Sequence, residues 1–289
     1  MQFLVFILLY PIFWLISILP FRLLYLLSDF IFFIVYRIIK YRKHIVRKNL
    51  AITLPHLTDI ERKKIEKKFY KHLCDMFLEM IKTLTISKSE MEKRYKFTNI
   101  ELYHNLEKKG KSIALMCAHY ASYEWIISMN SYINYKGYGI YKKIANDYFD
   151  KLVHDIRSKF KATLITTKDT ADTIARNYEN GILSLYGFAS DQSPRLDKAL
   201  LWYPFMGIET PIHTGAEFLA KRYDMNVIFL RTEKVKRGYY EGTFELITEN
   251  ANETARFEIS KDYIKRVEKQ IYAAPEFYLW THKRWKHTR

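Results

Sequence analysis

The sequence predicts an α/β protein: a mixed, largely parallel central sheet flanked by helices, headed by a membrane-anchoring helix or helical pair. Three observations carry this. From about residue 96, short apolar runs alternate with amphipathic stretches of ten or so residues, the rhythm of a parallel sheet covered on both faces. Residues 1–21 contain no charged side chain, enough helix to reach roughly 30 Å, one hydrocarbon core. No Gly-, Pro- or Ser-rich linker and no internal repeat divides the rest of the chain. The expected organisation is an anchor over 1–40 and one catalytic domain over 41–289.

Within the anchor, Pro11 and Pro20 interrupt the first run, and a second apolar stretch, Leu23 to Ile39, contains Asp29. No basic segment precedes the run and no A-x-A-like site follows it, which argues against a secretory signal peptide. Arg37, Lys40, Arg42, Lys43, Arg47 and Lys48 come directly after. The positive-inside rule puts that side, and the body beyond it, in the cytoplasm. A helix crossing the bilayer and a pair of helices lying in its interface both fit.

Residues 41–54 read as a basic amphipathic helix stopped by Pro55. Thr58 and Glu61 form a capping box opening a helix whose apolar positions Ile65, Phe69, Leu73, Phe77, Met80 and Leu84 recur at helical spacing. Glu79 lies among those apolar positions, and a buried salt bridge is its expected role. Strands are expected at 112–119, 137–141, 162–166, 182–190, 226–231 and 242–248. Helices are expected at 120–130, 147–160, 170–180 (ending at Gly181), 213–223 and 261–271.

The chain has 289 residues, of which 49% are hydrophobic and 16% aromatic, ample for a sizeable core. Its formal net charge of +16 asks for an anionic partner. The basic residues are dispersed and no nucleic-acid motif occurs, so the membrane run makes lipid the expected partner and excludes nucleic acid. The two cysteines, Cys74 and Cys117, supply no disulfide framework. No metal-ligand cluster is visible, so neither metal nor other cofactor is expected.

His119 ends the apolar run Ser112–His119, and Glu124 follows it. This H-x4-E element stands at a strand-to-helix junction, where α/β active sites gather. An imidazole there can take a proton from an alcohol, and a carboxylate can fix its tautomer and stabilise the imidazolium. Composition alone yields roughly one accidental H-x4-[DE]. The chain holds a second, His56–Glu61, which the capping box explains. Cys117 precedes His119 by two residues; a buried small residue is the plainer reading of it than a Cys/His pair.

Four elements then recur in a telling order: Cys117-Ala-His-Tyr-Ala-Ser-Tyr-Glu-Trp125; Ser190-Asp191-Gln192-Ser-Pro194; the Phe205-Met206-Gly207 turn, expected before a helix; and Pro275-x3-Leu279-Trp-x-His282-Lys-Arg-Trp285. With Arg47-Lys-Asn-Leu50 and the apolar N-terminus, this set resembles the late acyltransferases of lipid A biosynthesis, part of the HX4D/E glycerolipid acyltransferase superfamily. The chain departs from the family pattern at Ser193, where Asp is frequent, and at Met206, where Phe is frequent.

The resemblance implies an O-acyltransferase on the cytoplasmic side of the bacterial inner membrane, acting in lipopolysaccharide biosynthesis. The donor would be an acyl thioester on acyl carrier protein or coenzyme A, and the acceptor a phosphorylated glycolipid, the lipid A precursor. His119 would be the base and Glu124 its orienting carboxylate. Asp191, Gln192, Tyr120 and Gly207 would shape the site, and Arg157 would bind phosphate. Arg42, Lys43, Arg47 and Lys48, with Lys283, Arg284 and Lys286, are the cations expected at lipid phosphates. Another glycolipid, a phospholipid or an aminolipid is the alternative acceptor. A hydrolase using Cys117 or Ser122 with His119, and a non-enzymatic membrane adaptor, are the rival classes.

Overall fold

The computed structural model describes residues 2–289. Two apolar helices lead, α1 (Gln2–Ile18) and α2 (Phe21–Phe33), the second continuing into a π-helical turn at Ile34–Ile39. Next come α3 (Lys43–Thr53), the long α4 (Asp59–Lys82), α5 (Lys88–Arg94), β1 (Tyr95–Thr98) and α6 (Ile100–Glu107). The α/β body follows: β2 (Ile113–Cys117), β3 (Lys136–Tyr141), α7 (Asp147–Ser158), β4 (Thr163–Thr166), α8 (Thr170–Glu179) and β5 (Ser184–Ala189). A hairpin of β6 (Leu201–Phe205) and β7 (Ile208–Ile212) precedes α9 (Gly215–Arg222), β8 (Asn226–Lys236), β9 (Tyr239–Thr248) and α10 (Glu258–Ala273).

Seven strands form one sheet in the order β1-β9-β8-β2-β5-β3-β4. All neighbours are parallel except the β8–β9 hairpin. All five residues of β2 are buried, as an inner strand covered on both faces requires. β2 lies between β8 and β5, and Cys117 pairs with Ala189. That register decides the site: residues 119 and 191 each lie two positions beyond paired strand ends, so they leave the sheet side by side.

The expected anchor differs in form. α1 has 17 residues, and no helix among the described residues is long and apolar enough to cross a membrane. Pro11 is accommodated within α1, while Pro20 caps α2 and the chain turns there. In place of the expected transmembrane helix the chain forms the helical pair that was the other expectation; the pair packs against α4, with α1 also touching α7. Its inner side is polar-bonded to the body. The Lys82 ammonium donates to the carbonyls of Ser17 (2.7 Å) and Leu19 (2.8 Å), and Ser28 Oγ donates to Asp75 (2.7 Å). Its outer side is apolar, with Leu8, Leu15, Leu26 and Phe30 each more than half exposed.

Glu79 is fully buried, but two tyrosine hydroxyls, Tyr25 and Tyr240, donate to it at 2.8 Å where a cation was expected. Burial pushes its pKa up, and neutral donors suit a carboxyl that resists ionisation. The Thr58–Glu61 capping box forms as expected. The Phe205-Met206-Gly207 turn does not lead into a helix. Met206 and Gly207 have φ of +56° and +76° and form the two-residue loop of the β6–β7 hairpin, a turn that needs positive φ at both positions.

Candidate active site

His119 stands just past β2, and the loop after it is held from outside. The Ala121 N–H donates to the Phe277 carbonyl (2.9 Å), and the Leu279 N–H donates to the His119 carbonyl (3.2 Å). Tyr120 is buried and donates its hydroxyl to the Ala274 carbonyl (2.8 Å), so it adds to the clamp. Ala121 has φ of +49°, a strained value for a residue with a Cβ, and the Phe277 bond holds it there. Beyond it, Tyr123–Ser131 is a 3₁₀ helix where an α-helix was expected. Ser128 and Asn130 bond back to the carbonyls of Trp125 and Ile127, three residues earlier, which favours the tighter winding.

The carboxylate on His119 is Asp191. Its Oδ1 accepts from His119 Nδ1 at 2.7 Å and from the His119 backbone N–H at 3.1 Å. Glu124, the expected orienting residue, is instead bonded to Arg157 through two contacts, 2.9 Å from Nε and 2.7 Å from Nη2. The turn that places Glu124 beside α7 reaches that guanidinium, whereas the sheet register puts Asp191 on the imidazole. Arg157, expected at a phosphate, is committed to Glu124. Gln192 is half-buried. Gly207 is linked to the site only through its hairpin: Phe205 stacks on Trp285 (5.4 Å) and meets Tyr278 edge-on (6.3 Å).

Electrostatics follow the geometry. Burial alone would lower the His119 pKa, but the Asp191 charge and hydrogen bond outweigh it and hold it above the usual imidazole value. Burial would raise Asp191, and the same partnership holds it below the usual carboxylate range. Arg157 is likewise held up by Glu124 against its own burial. Cys117 is buried, and that burial, with Asp191 nearby, pushes its thiol up to about 12, so it is a core residue and no thiolate nucleophile. Ser122 is buried with no hydrogen-bond partner on its Oγ among the described residues.

The cations expected at lipid phosphates divide. Arg47 and Lys43 are drawn to the buried Glu66, at 2.9 and 3.5 Å. Arg284 is fully buried, its guanidinium 4.9 Å from the Phe205 ring, so it faces no lipid. Lys283 and Lys286 are exposed on either side of it. Asn49 ties the early motif to the late one, donating to the carbonyls of Trp280 (2.8 Å) and His282 (2.9 Å).

With Nδ1 donating to Asp191, His119 Nε2 is left as a basic lone pair. His119 lines a small apolar cavity with Phe69, Met76, Tyr123 and Leu279. A base facing an apolar slot, with a carboxylate behind it, can deprotonate a hydroxyl for attack on an acyl carbonyl. Comparison with known proteins decides the class. The model of a family described as bacterial lipid A biosynthesis acyltransferase matches residues 1–287. The chain belongs to this family. It is also similar to the lipid A biosynthesis lauroyltransferase of Escherichia coli (strain K12), 22% identical over 275 residues that cover 94% of this chain and 88% of the relative. The protein is an acyltransferase of lipid A biosynthesis. Sequence reasoning placed Asp191 in the site but assigned its partnership with His119 to Glu124. The parallel apolar runs ending at Cys117 and Ala189 were the available signal.

Proposed function

We propose that this protein moves a fatty acyl chain from an acyl thioester to a hydroxyl of a lipid A precursor at the cytoplasmic face of the membrane. His119 is the base and Asp191 the residue that orients it. The observation that carries this is the 2.7 Å bond from His119 Nδ1 to Asp191 beside a slot lined mostly by aliphatic and aromatic side chains. The acceptor hydroxyl oxygen attacks the thioester carbonyl while its proton passes to His119 Nε2. The C–S bond then breaks, and the thiolate takes the proton from His119. An ester and a thiol result, and no acyl-enzyme is needed. Glu124 and Arg157 brace the loop that carries His119. The outer apolar side of α1 and α2, with Trp14 and Tyr10 exposed among the aliphatic residues, supports seating in a membrane interface. The net positive charge supports an anionic donor carrier and anionic lipid.

The test is mass spectrometry of glycolipids from cells with the gene, without it, and with His119→Ala. Loss of one acyl chain from lipid A in both defective strains is expected. An unchanged lipid A beside an altered second lipid would replace the acceptor, and no lipid change would sink the reading.

A further inference from the structure

A second cavity, about 380 Å³, lies beside the small apolar one, and His72 and Phe277 line both. Their rings pack edge-on at 4.9 Å and form the wall between the two spaces. Three elements meet around it. α4 supplies Lys68, Lys71, His72 and Asp75, whose spacing puts them on one helical face. The β8–β9 end supplies Lys234, Lys236 and Arg237, and the turn at Pro275–Phe277 supplies Glu276. The lining thus carries five cations against two carboxylates.

The protein neutralises only part of that charge. Arg237 is bonded to Asp75 (2.7 Å) and Asp29 (2.9 Å), Lys234 lies 3.5 Å from Asp75, and Lys68 lies 3.1 Å from Glu276. Lys71 and Lys236 have no acidic partner among the described residues; each lies over an aromatic ring, Phe32 and Tyr239. Fixed ion pairs therefore shape the cavity, and two uncommitted ammonium groups face it. The rim is bordered by α2, which contributes Asp29 and Phe32 and whose outer face is apolar.

We infer that this cavity is a phosphate subsite that holds a phosphorylated substrate through Lys71 and Lys236 while its reacting group lies at His119. The inference rests on the acyl-transfer reading above and adds to it where the substrate's charge is held. A phosphate ester suits the cavity: it brings two or three acceptor oxygens to two free ammonium groups. The phosphate can belong to the donor's phosphopantetheine arm or to the lipid acceptor.

The experiment uses the full-length protein in detergent micelles, as wild type, as Lys71→Gln/Lys236→Gln, and as Lys71→Arg/Lys236→Arg. Acyl transfer is measured from an acyl phosphopantetheine thioester and from the same acyl pantetheine without phosphate, to the acceptor lipid with and without its phosphates. If the donor's phosphate is bound, the Gln variant raises KM about ten- to a hundredfold for the phosphorylated donor and leaves the other donor unaffected. If the acceptor's is bound, the rise follows the lipid's phosphates whichever donor is used. The Arg variant restores most of the loss in either case, which separates charge from fold. An equal effect on all four substrate pairs, or none, overturns the subsite. Binding of inorganic phosphate by calorimetry needs no turnover. Binding by the wild type and its loss in the Gln variant, in a protein that transfers no acyl chain, would sustain the subsite and sink the proposed function instead. No such loss would remove the subsite by itself.

Discussion

Two segments of this chain carry the same H-x4-E spacing and meet different ends. His56 lies exposed in the loop after Pro55, and Glu61 turns back to cap α4, its Oε2 accepting from the Thr58 N–H and hydroxyl at 2.7 Å. His119 leaves the end of a buried strand, and Glu124 turns away to Arg157. In neither segment does the glutamate bond to its histidine. What separates them is the neighbouring strand: β5 delivers Asp191 to His119, and among the described residues no carboxylate bonds to His56. A five-residue spacing marks a junction; the sheet register is what gives His119 a carboxylate partner.

The comparison can be broken at four points. His119→Ala should cause the largest effect, a fall in kcat of about 10²–10⁴-fold, measured by single-turnover acyl transfer. Asp191→Asn should come close to it, because an amide can hold the wrong tautomer. It should also move the pH profile. His119 must be neutral to accept a proton, so kcat/KM falls as pH drops through its raised pKa. Removing the carboxylate removes what raises that pKa, so the acid limb moves to lower pH.

Glu124→Gln should act mainly on stability. It leaves a largely buried guanidinium without its charge partner, at a cost of up to about 3–5 kcal/mol in urea unfolding. Its acid limb should move less than that of Asp191→Asn. If Glu124→Gln instead matched Asp191→Asn in rate and limb while keeping wild-type stability, the orienting role would return to Glu124. The smallest effect belongs to His56→Ala, which should unfold within about 0.5 kcal/mol of wild type and transfer acyl chains at the same rate. A loss of activity there would mean that the two segments are not so different after all.

Much of the fold was legible because local chemistry specified it. The Ser112–His119 run, the Thr58–Glu61 box and the Gly181 stop each name their element without distant help. The β6–β7 hairpin was not, since Pro204 and Pro211 argue against strands, and only a two-stranded hairpin with free outer edges tolerates them. β1, four residues long, is too short for any period to show. In the site, His119 could be singled out from its strand-end position, and Asp191 from its motif. Their partnership could not, because it depends on which strand lies next to which. Arg284 misled for a related reason: a charge in a basic C-terminal run reads as surface, yet stacking of Trp280, Trp285 and Phe205 closes over it. The anchor misled through length: the uncharged run 1–21 counts as one span, but α1 ends at Ile18 and Pro20 already caps the next helix.

The clamp on the His119 loop also fixes an order of assembly. The carbonyl of Phe277 and the N–H of Leu279, which hold Ala121 and His119 in place, belong to a stretch synthesised long after β2. The apolar faces of α1 and α2 emerge before either. The two N-terminal helices are therefore made while the histidine is still unseated. A chain broken after α10 would keep the sheet strands and lose the clamp on the His119 loop. The His119 loop thus takes its final form only once the C-terminal segment has returned to it.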